Sequence, residues 1–289
     1  MIIIFFVPYT ASGFSACGKL FGTLFGIDYH IAMIVSAIII VGYTSLGGFN
    51  AASITDFIQS IIMTVALIIV LIFGINQAGG MDAVIQNAKS LDGYLDFFKG
   101  YNAETNSAGT YGALSVVSTL AWGLGYFGMP HILLRFMAIE DPNKIKLSRR
   151  VATVWVVISM AVAVLIGIVG MGMVKSGALP AFKDSETIIV QVADLLSKFG
   201  VVPALLAGVI RAGILASTMS TADSQLLAAS SAASENIIGG LFKIKLDEKA
   251  EMIVARLTLI IISVIGVVIA WDANSSVFGI VSFAWAGFG

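Results

Sequence analysis

Between Val151 and Val174 the chain carries no charged side chain, and comparable apolar runs recur along most of its length. Few folds accept such runs. In water they would expose a surface that aggregates, whereas in hydrocarbon a helix of about 20 residues crosses the core with its backbone paired internally. Strands of a membrane barrel need only about 9–11 residues and alternate in polarity, and these runs do neither. Composition agrees, with 58% hydrophobic and 11% charged residues and a mean hydropathy of +0.98. Soluble domains carry roughly 25% charged residues. The chain reads as an all-α, polytopic membrane protein, embedded in a lipid bilayer.

The apolar segments fall near residues 2–25, 29–46, 54–75, 113–137, 151–174, 201–237 and 253–270, and an incomplete eighth begins near the end. The first contains Pro8 and many small residues, which let helices approach closely, so it is expected to lie buried among neighbours. A polar turn over Asn50 to Ser53 is expected between the second and third. The interval 76–112 is expected to hold a short helix outside the bilayer. Residues 175–199, with KDSETIIVQVADLLSKFG, read as a surface helix capped by Asp184 or Ser185. The sixth segment is longer than a bilayer requires. Lys144, Lys146, Arg149 and Arg150 in one turn, and Lys243, Lys245 and Lys249 in another, assign both turns to the cytoplasm, with 76–112 and 175–199 outside. Because the sequence starts and stops inside apolar stretches, it is expected to be part of a longer protein.

Several chemistries are excluded at this level. Cys17 is the single cysteine and His30 and His131 are the two histidines, too few for a disulfide, a thiolate cluster or a histidine-built metal site. A net charge of −1 argues against a nucleic-acid partner. No GxSxG elbow, P-loop or HExxH is present, so neither an enzyme nor a carrier driven by its own ATP hydrolysis is expected. An ion-gradient-driven transporter is the leading class, and a channel fits less well for want of a filter-like run.

Three places carry the remaining chemistry. The stretch AWGLGYFGMPHILLRF, Ala121 to Phe136, sets Gly123, Gly125, Gly128 and Pro130 in an apolar segment beside Trp122 and Tyr126. Glycine frees the backbone and proline removes an amide donor, so the helix is expected to bend or break. A break in hydrocarbon survives only where protein or a water-filled cavity covers the freed polar groups. That makes a small-solute site one reading. A kinked helix with packing glycines and Trp122 as an interfacial anchor is the other. In the sixth segment Ser217, Ser220, Thr221 and Ser224 share one helical face. They suit a dehydrated alkali cation, or simple back-bonding to the preceding turn. Asp223 lies on the next turn, where an ionisable group normally faces a cavity or a partner. Asp56 reads either as a residue near a helix start capped by Ser53, or as part of a cation path with the sixth segment. Arg211 requires a solvent route or an acidic partner.

The motifs YTASGFSACGKLF at 9–21, GGFNAASITDFIQ at 47–59, WGLGYFGMPHILLRFMA at 122–138, MSTADSQLLAASSA at 219–232 and FGIVSFAWAGFG at 278–289 together resemble the sodium:solute symporter family, in family order and most closely its proline-carrying branch. The resemblance implies a broken-helix, inverted-repeat transporter core of five plus five helices. Residues 1–289 would form a single partial transmembrane domain lacking the first two core helices and the C-terminal end. The first, broken and hydroxyl-rich segments would be core helices three, six and eight. It also implies Na+ as coupling ion, with the Ser220 and Thr221 side chains and the Ser217 carbonyl as ligands and Asp56 serving sodium coupling. Tyr9, Trp122, Tyr126 and Pro130 would bind or gate proline. Asp223 departs from the branch's serine and resembles relatives that take a second cation, which Asp223 and Ser224 would hold here. Met129 departs from the glutamine found there. The function implied is sodium-coupled uptake of L-proline by alternating access in a bacterial plasma membrane, without an obligate protein partner. The alternatives are a carrier for another small metabolite, or an inactive truncated transporter or interaction protein.

Overall fold

The computed structural model describes residues 2–102, 105, 107–181, 184–244 and 247–287, and within α2 the side chain of residue 51 is not described. Lys183, Lys245, Phe288 and Gly289, which enter the loop and tail readings above, lie outside the described residues. The helices are α1 (Ile2–Phe25), α2 (Tyr29–Gln77), α3 (Met81–Ser90), α4 (Ala113–Gly128), α5 (Pro130–Met137), α6 (Ile145–Lys175), α7 (Ile188–Ser197), α8 (Val201–Ser231), α9 (Glu248–Ile269) and α10 (Val277–Ala286). A π-helical stretch, Ala232–Leu241, continues α8. Among the described residues six helical segments are long and apolar enough to cross a membrane, and α4 and α10 are shorter apolar helices. On α6 the side chains of Val154, Val157, Met160 and Val164 are all exposed, a stripe suited to lipid and not to water.

Two compact units divide the chain. The first holds Met1–Met63, Gly123–Glu140 and Ala212–Gly289, and the second Thr64–Trp122 and Asp141–Arg211. In the first unit α1 is the buried element, as its small residues predict, and it packs on α9 and α10. Pro8 sits inside α1 without ending it. Gly18 lies so close to the Tyr29 ring that an added Cβ would come within 2.6 Å of Cε2. The Tyr29 hydroxyl donates to the carbonyl of Ala270 at 2.7 Å, tying the start of α2 to the end of α9. Asp28 caps that start, its Oδ1 accepting from the amides of His30 and Ile31.

The turn expected at Asn50 to Ser53 is not there. Helix α2 runs through those residues, and its one non-helical residue is Gly48, at φ 62° and ψ −170°. Only glycine adopts that region without large strain. Ser53 Oγ donates back to Phe49 O at 2.9 Å, so its polarity is satisfied inside the helix and it caps nothing.

The second unit also differs in detail. The interval after α3 forms an antiparallel hairpin, β1 (Lys99–Asn102) against β2 (Ser107–Thr110), in which Lys99 faces Thr110. The charged turn after α5 is largely absorbed into α6. Asp141 caps a single tight turn, Pro142–Lys144, by accepting from the Asn143 amide, and α6 starts at once. Asp184 caps the turn leading into α7, as expected. Gly74 admits Val169 of α6, and Trp155 Nε1 donates to Thr64 Oγ1 at 2.9 Å. Arg211 finds its acidic partner in Asp194, 3.8 Å from Nη2, which also pairs with Lys198 at 2.8 Å.

Gly48→Ala is expected to cost about 1–3 kcal/mol, because the side chain forces the kink out of its backbone region. Thermal unfolding in detergent should therefore begin at lower temperature than in the wild type. Gly42→Ala is the control, since a Cβ there meets nothing within 4 Å and its φ is ordinary. Equal unfolding of the two variants would disprove the account.

Candidate functional site

The broken helix is a true break. Helix α4 ends at Gly128, Met129 is extended at φ −73° and ψ 106°, and Pro130 opens α5 at its first position. Proline suits that position because the first amides of a helix have no intrahelical acceptor. The carbonyl of Met129 accepts from Ile132 and Leu133, both at 3.1 Å, while its side chain is wholly buried.

Aromatic rings gather beside the break. The Tyr126 ring meets Trp285 of α10 edge-on, with centroids 4.5 Å apart. Tyr9 of α1 lies 6.3 Å from Trp285 and 6.2 Å from the His131 ring, and Phe6 lies 5.5 Å from His131. Gly125 makes this possible, since a Cβ there would stand 2.9 Å from Trp285 Cε3 and 3.3 Å from its carbonyl oxygen. Tyr9, Tyr126 and Pro130 thus belong to one unit, whereas Trp122, one turn earlier on α4, belongs to the second. Sequence reasoning gave no role to Trp285 or His131. The signal available was a tryptophan among small residues in SFAWAG, which could not be paired with Gly125 before the fold was known.

On α8 the oxygens converge. Ser220 Oγ and Thr221 Oγ1 lie 3.2 Å and 3.1 Å from the carbonyl of Ser217. Each hydroxyl donates its one proton to that carbonyl, and each oxygen keeps lone pairs free for a cation. Back-bonding and cation binding are therefore compatible here. All three groups are hard oxygen donors, the chemistry of an alkali cation and not of a thiolate- or imidazole-seeking metal.

One turn further along α8 stands a charged cluster. Asp56 of α2 forms an ion pair with Arg135 of α5, whose Nη2 also donates to Ser224 Oγ at 2.7 Å and whose Nη1 donates to His131 O at 2.8 Å. Ser224 Oγ is 2.9 Å from Ser220 O and 3.1 Å from Asp223 Oδ1. The Tyr43 hydroxyl bridges Met219 O and Asp223 Oδ2, both at 3.1 Å. Asp223 is wholly buried, so no exposure to water relieves it. No helix starts at Ser53, since α2 already runs through it from the kink at Gly48, and Asp56 is linked to Ser224 of the sixth segment through Arg135. Neither Tyr43 nor Arg135 was singled out from the sequence. Both stand at unremarkable positions of apolar helices, and an arginine near a helix end also reads as an interfacial anchor.

Two carboxylates and one guanidinium leave the cluster short of a positive charge. An uncompensated buried charge costs several kcal/mol, and a hydrogen bond to a charged group returns only about 1.5–3 kcal/mol. The two neutral hydroxyls of Tyr43 and Ser224 bring Asp223 no positive charge. The cluster is chemically suited to a proton or a small monovalent cation.

A discontinuous helix and a hydroxyl-lined helix in one unit, within a multi-pass helical membrane protein, is the architecture of a broken-helix transporter core. The sodium:solute symporter family profile matches residues 1–289, and the chain belongs to that family. It is 37% identical over 290 residues to the high-affinity proline transporter PutP and to the osmoregulated proline transporter OpuE, both of Bacillus subtilis. It is likewise 37% identical over 292 residues to sodium/proline symporter 2 of Staphylococcus saprophyticus. All of this chain is covered in each case, but 58%, 56% and 54% of those relatives, so the chain spans little more than half their length. Its fold matches a solved Na+-coupled sialic acid symporter in a substrate-bound outward-open state, with a TM-score of 0.74 at 19% identity, over 96% of this chain and 58% of that one.

Gly125→Ala is expected to push α10 from α4 and separate Trp285 from Tyr126. Tryptophan fluorescence should shift and thermal stability fall by about 1–3 kcal/mol, the usual range for overpacking. A spectrum identical to the wild type would show that the contact is not made.

Proposed function

We propose that this protein takes up L-proline with Na+ by alternating access in a bacterial plasma membrane. Sodium is held by the Ser217 carbonyl and the Ser220 and Thr221 hydroxyls, with Asp56 serving coupling, and Asp223 and Ser224 take a second cation. Tyr9, Trp122, Tyr126 and Pro130 form the solute site. The observation that carries the reading is the convergence of three oxygens on α8 in the same unit as the helix break. The names of the 37% identical relatives support proline as the solute.

The physical logic is coupling through one unit. Proline carries an apolar ring, a carboxylate and a secondary ammonium. Aromatic faces attract the ammonium and cover the ring, and free amides at the start of α5 attract the carboxylate. Each sodium entering down an ~100 mV potential supplies about 2.3 kcal/mol before its concentration gradient is counted. Two such ions would give roughly twice that, which is why the Asp223 subsite matters for accumulation.

A sodium-coupled carrier for another small metabolite is the second reading. It is favoured by Met129, a wholly buried thioether at the break that is only a weak hydrogen-bond acceptor. Competition against labelled proline separates the two.

Proteoliposomes made with the protein from its complete reading frame supply the test. Ser220→Ala and Thr221→Ala should each raise the sodium concentration for half-maximal proline uptake by about tenfold, the equivalent of ~1.4 kcal/mol. Trp122→Ala and Tyr126→Ala should instead raise the proline concentration required. Unchanged sodium dependence in the first pair would remove the cation site from α8, and unchanged proline dependence in the second pair would remove the solute site from the break.

A further inference from the structure

Arg135 occupies both the carboxylate proposed to serve sodium coupling, Asp56, and a proposed ligand of the second cation, Ser224. Its Nη2 bonds both to Asp56 and to Ser224 Oγ, at 2.7 Å for the latter, while Nη1 returns to His131 O on the same short helix. The guanidinium therefore bridges α5 to α2 and α8, and among the described residues its link within α5 is that backbone bond. Asp56 Oδ1 is buried and has no hydrogen-bond partner among the described residues, so one edge of the carboxylate stays open to a further positive ligand. Asp223, the residue before Ser224 on α8, is held by Tyr43 and Ser224.

A guanidinium keeps its charge at any physiological pH. A metal cation seated between Asp56 and Ser224 would face that charge at contact range, with both side chains of the ion pair only partly exposed to water. Guanidinium and metal are thus alternatives for one pair of ligands. The consequence is mechanical, because Arg135 sits on the C-terminal half of the broken helix and its competitor does not.

We propose that Arg135 is a tethered cation that competes with sodium for Asp56 and Ser224, so that sodium entry releases α5 from α8. The proposal rests on the readings that Asp56 serves sodium coupling and that Ser224, with Asp223, takes a second cation. Arg135 is on this view a positioning residue, which sets when the solute-bearing break can move. Loss of the guanidinium should strengthen sodium binding at this subsite while uncoupling it from α5. A merely structural arginine would do the opposite, since its removal would loosen the ligands and weaken binding.

The test is equilibrium binding of radioactive sodium to the purified protein from its complete reading frame, with hydrogen–deuterium exchange of Pro130–Met137 as a second readout. Arg135→Gln should bind sodium about tenfold more tightly at the component that Asp56→Asn removes. Arg135→Lys keeps a tethered charge and should stay near the wild type. In the wild type, sodium in place of choline should increase exchange across Pro130–Met137, and in Arg135→Gln exchange should be high without sodium. If Asp56→Asn removes a sodium component but Arg135→Gln leaves it unchanged or weaker, the competition is overturned and the sodium-coupling role of Asp56 stands. If Asp56→Asn removes nothing, the sodium-coupling reading of Asp56 fails and takes this proposal with it. Should Arg135→Gln fail to fold, the Lys variant decides alone: wild-type affinity and sodium-dependent exchange support competition, and loss of either overturns it.

Discussion

Burial of charge among helices suited to hydrocarbon is the constraint on which the first unit depends. Asp56 and Asp223 are expensive groups in such a setting. The unit answers them with one guanidinium and two hydroxyls drawn from three helices. Each of those groups fixes a helix. Tyr43 and Asp56 orient the two parts of α2 on either side of Gly48, Arg135 ties down α5, and the 219–224 turn of α8 receives them all.

The second constraint is close approach. Hydrocarbon supplies no hydrophobic drive between helices, so packing and polar links do the joining. Gly18 against Tyr29, Gly266 against Phe14 and Gly125 against Trp285 show glycine used in this way within one unit. The last of these brings the tail of the chain to the helix break, and so joins packing to the solute site. The broken helix is consequently held at both ends, by Trp285 on the α4 side and by Arg135 on the α5 side.

Much of the architecture could be read from local pattern. The bounds of α1, the length of α8 and the break at Pro130 follow from apolar runs, small residues and proline chemistry, because each depends on neighbours within a turn or two. The errors have the same origin. Asn50 to Ser53 looked like a turn because polar residues usually leave hydrocarbon, yet Ser53 satisfies itself against Phe49 and the kink falls on Gly48. The charged residues after α5 looked like a loop, and a helix accepts them because exposed lysine and arginine are good helix formers.

The sequence by itself determined that this chain is a helical membrane protein with an interrupted span and a hydroxyl face, since period, length and polarity are properties of consecutive residues. It also nominated Asp56 and Asp223, because charge inside an apolar run is conspicuous without any fold. Only the tertiary structure decided that Arg135 stands between Asp56 and Ser224, that Tyr43 reaches Asp223, and that Trp285 closes on Gly125. The partners in those pairs lie 79 or more residues apart in the chain. Nothing in a local pattern encodes which distant side chain will meet a buried charge, and that meeting is fixed only when the helices pack.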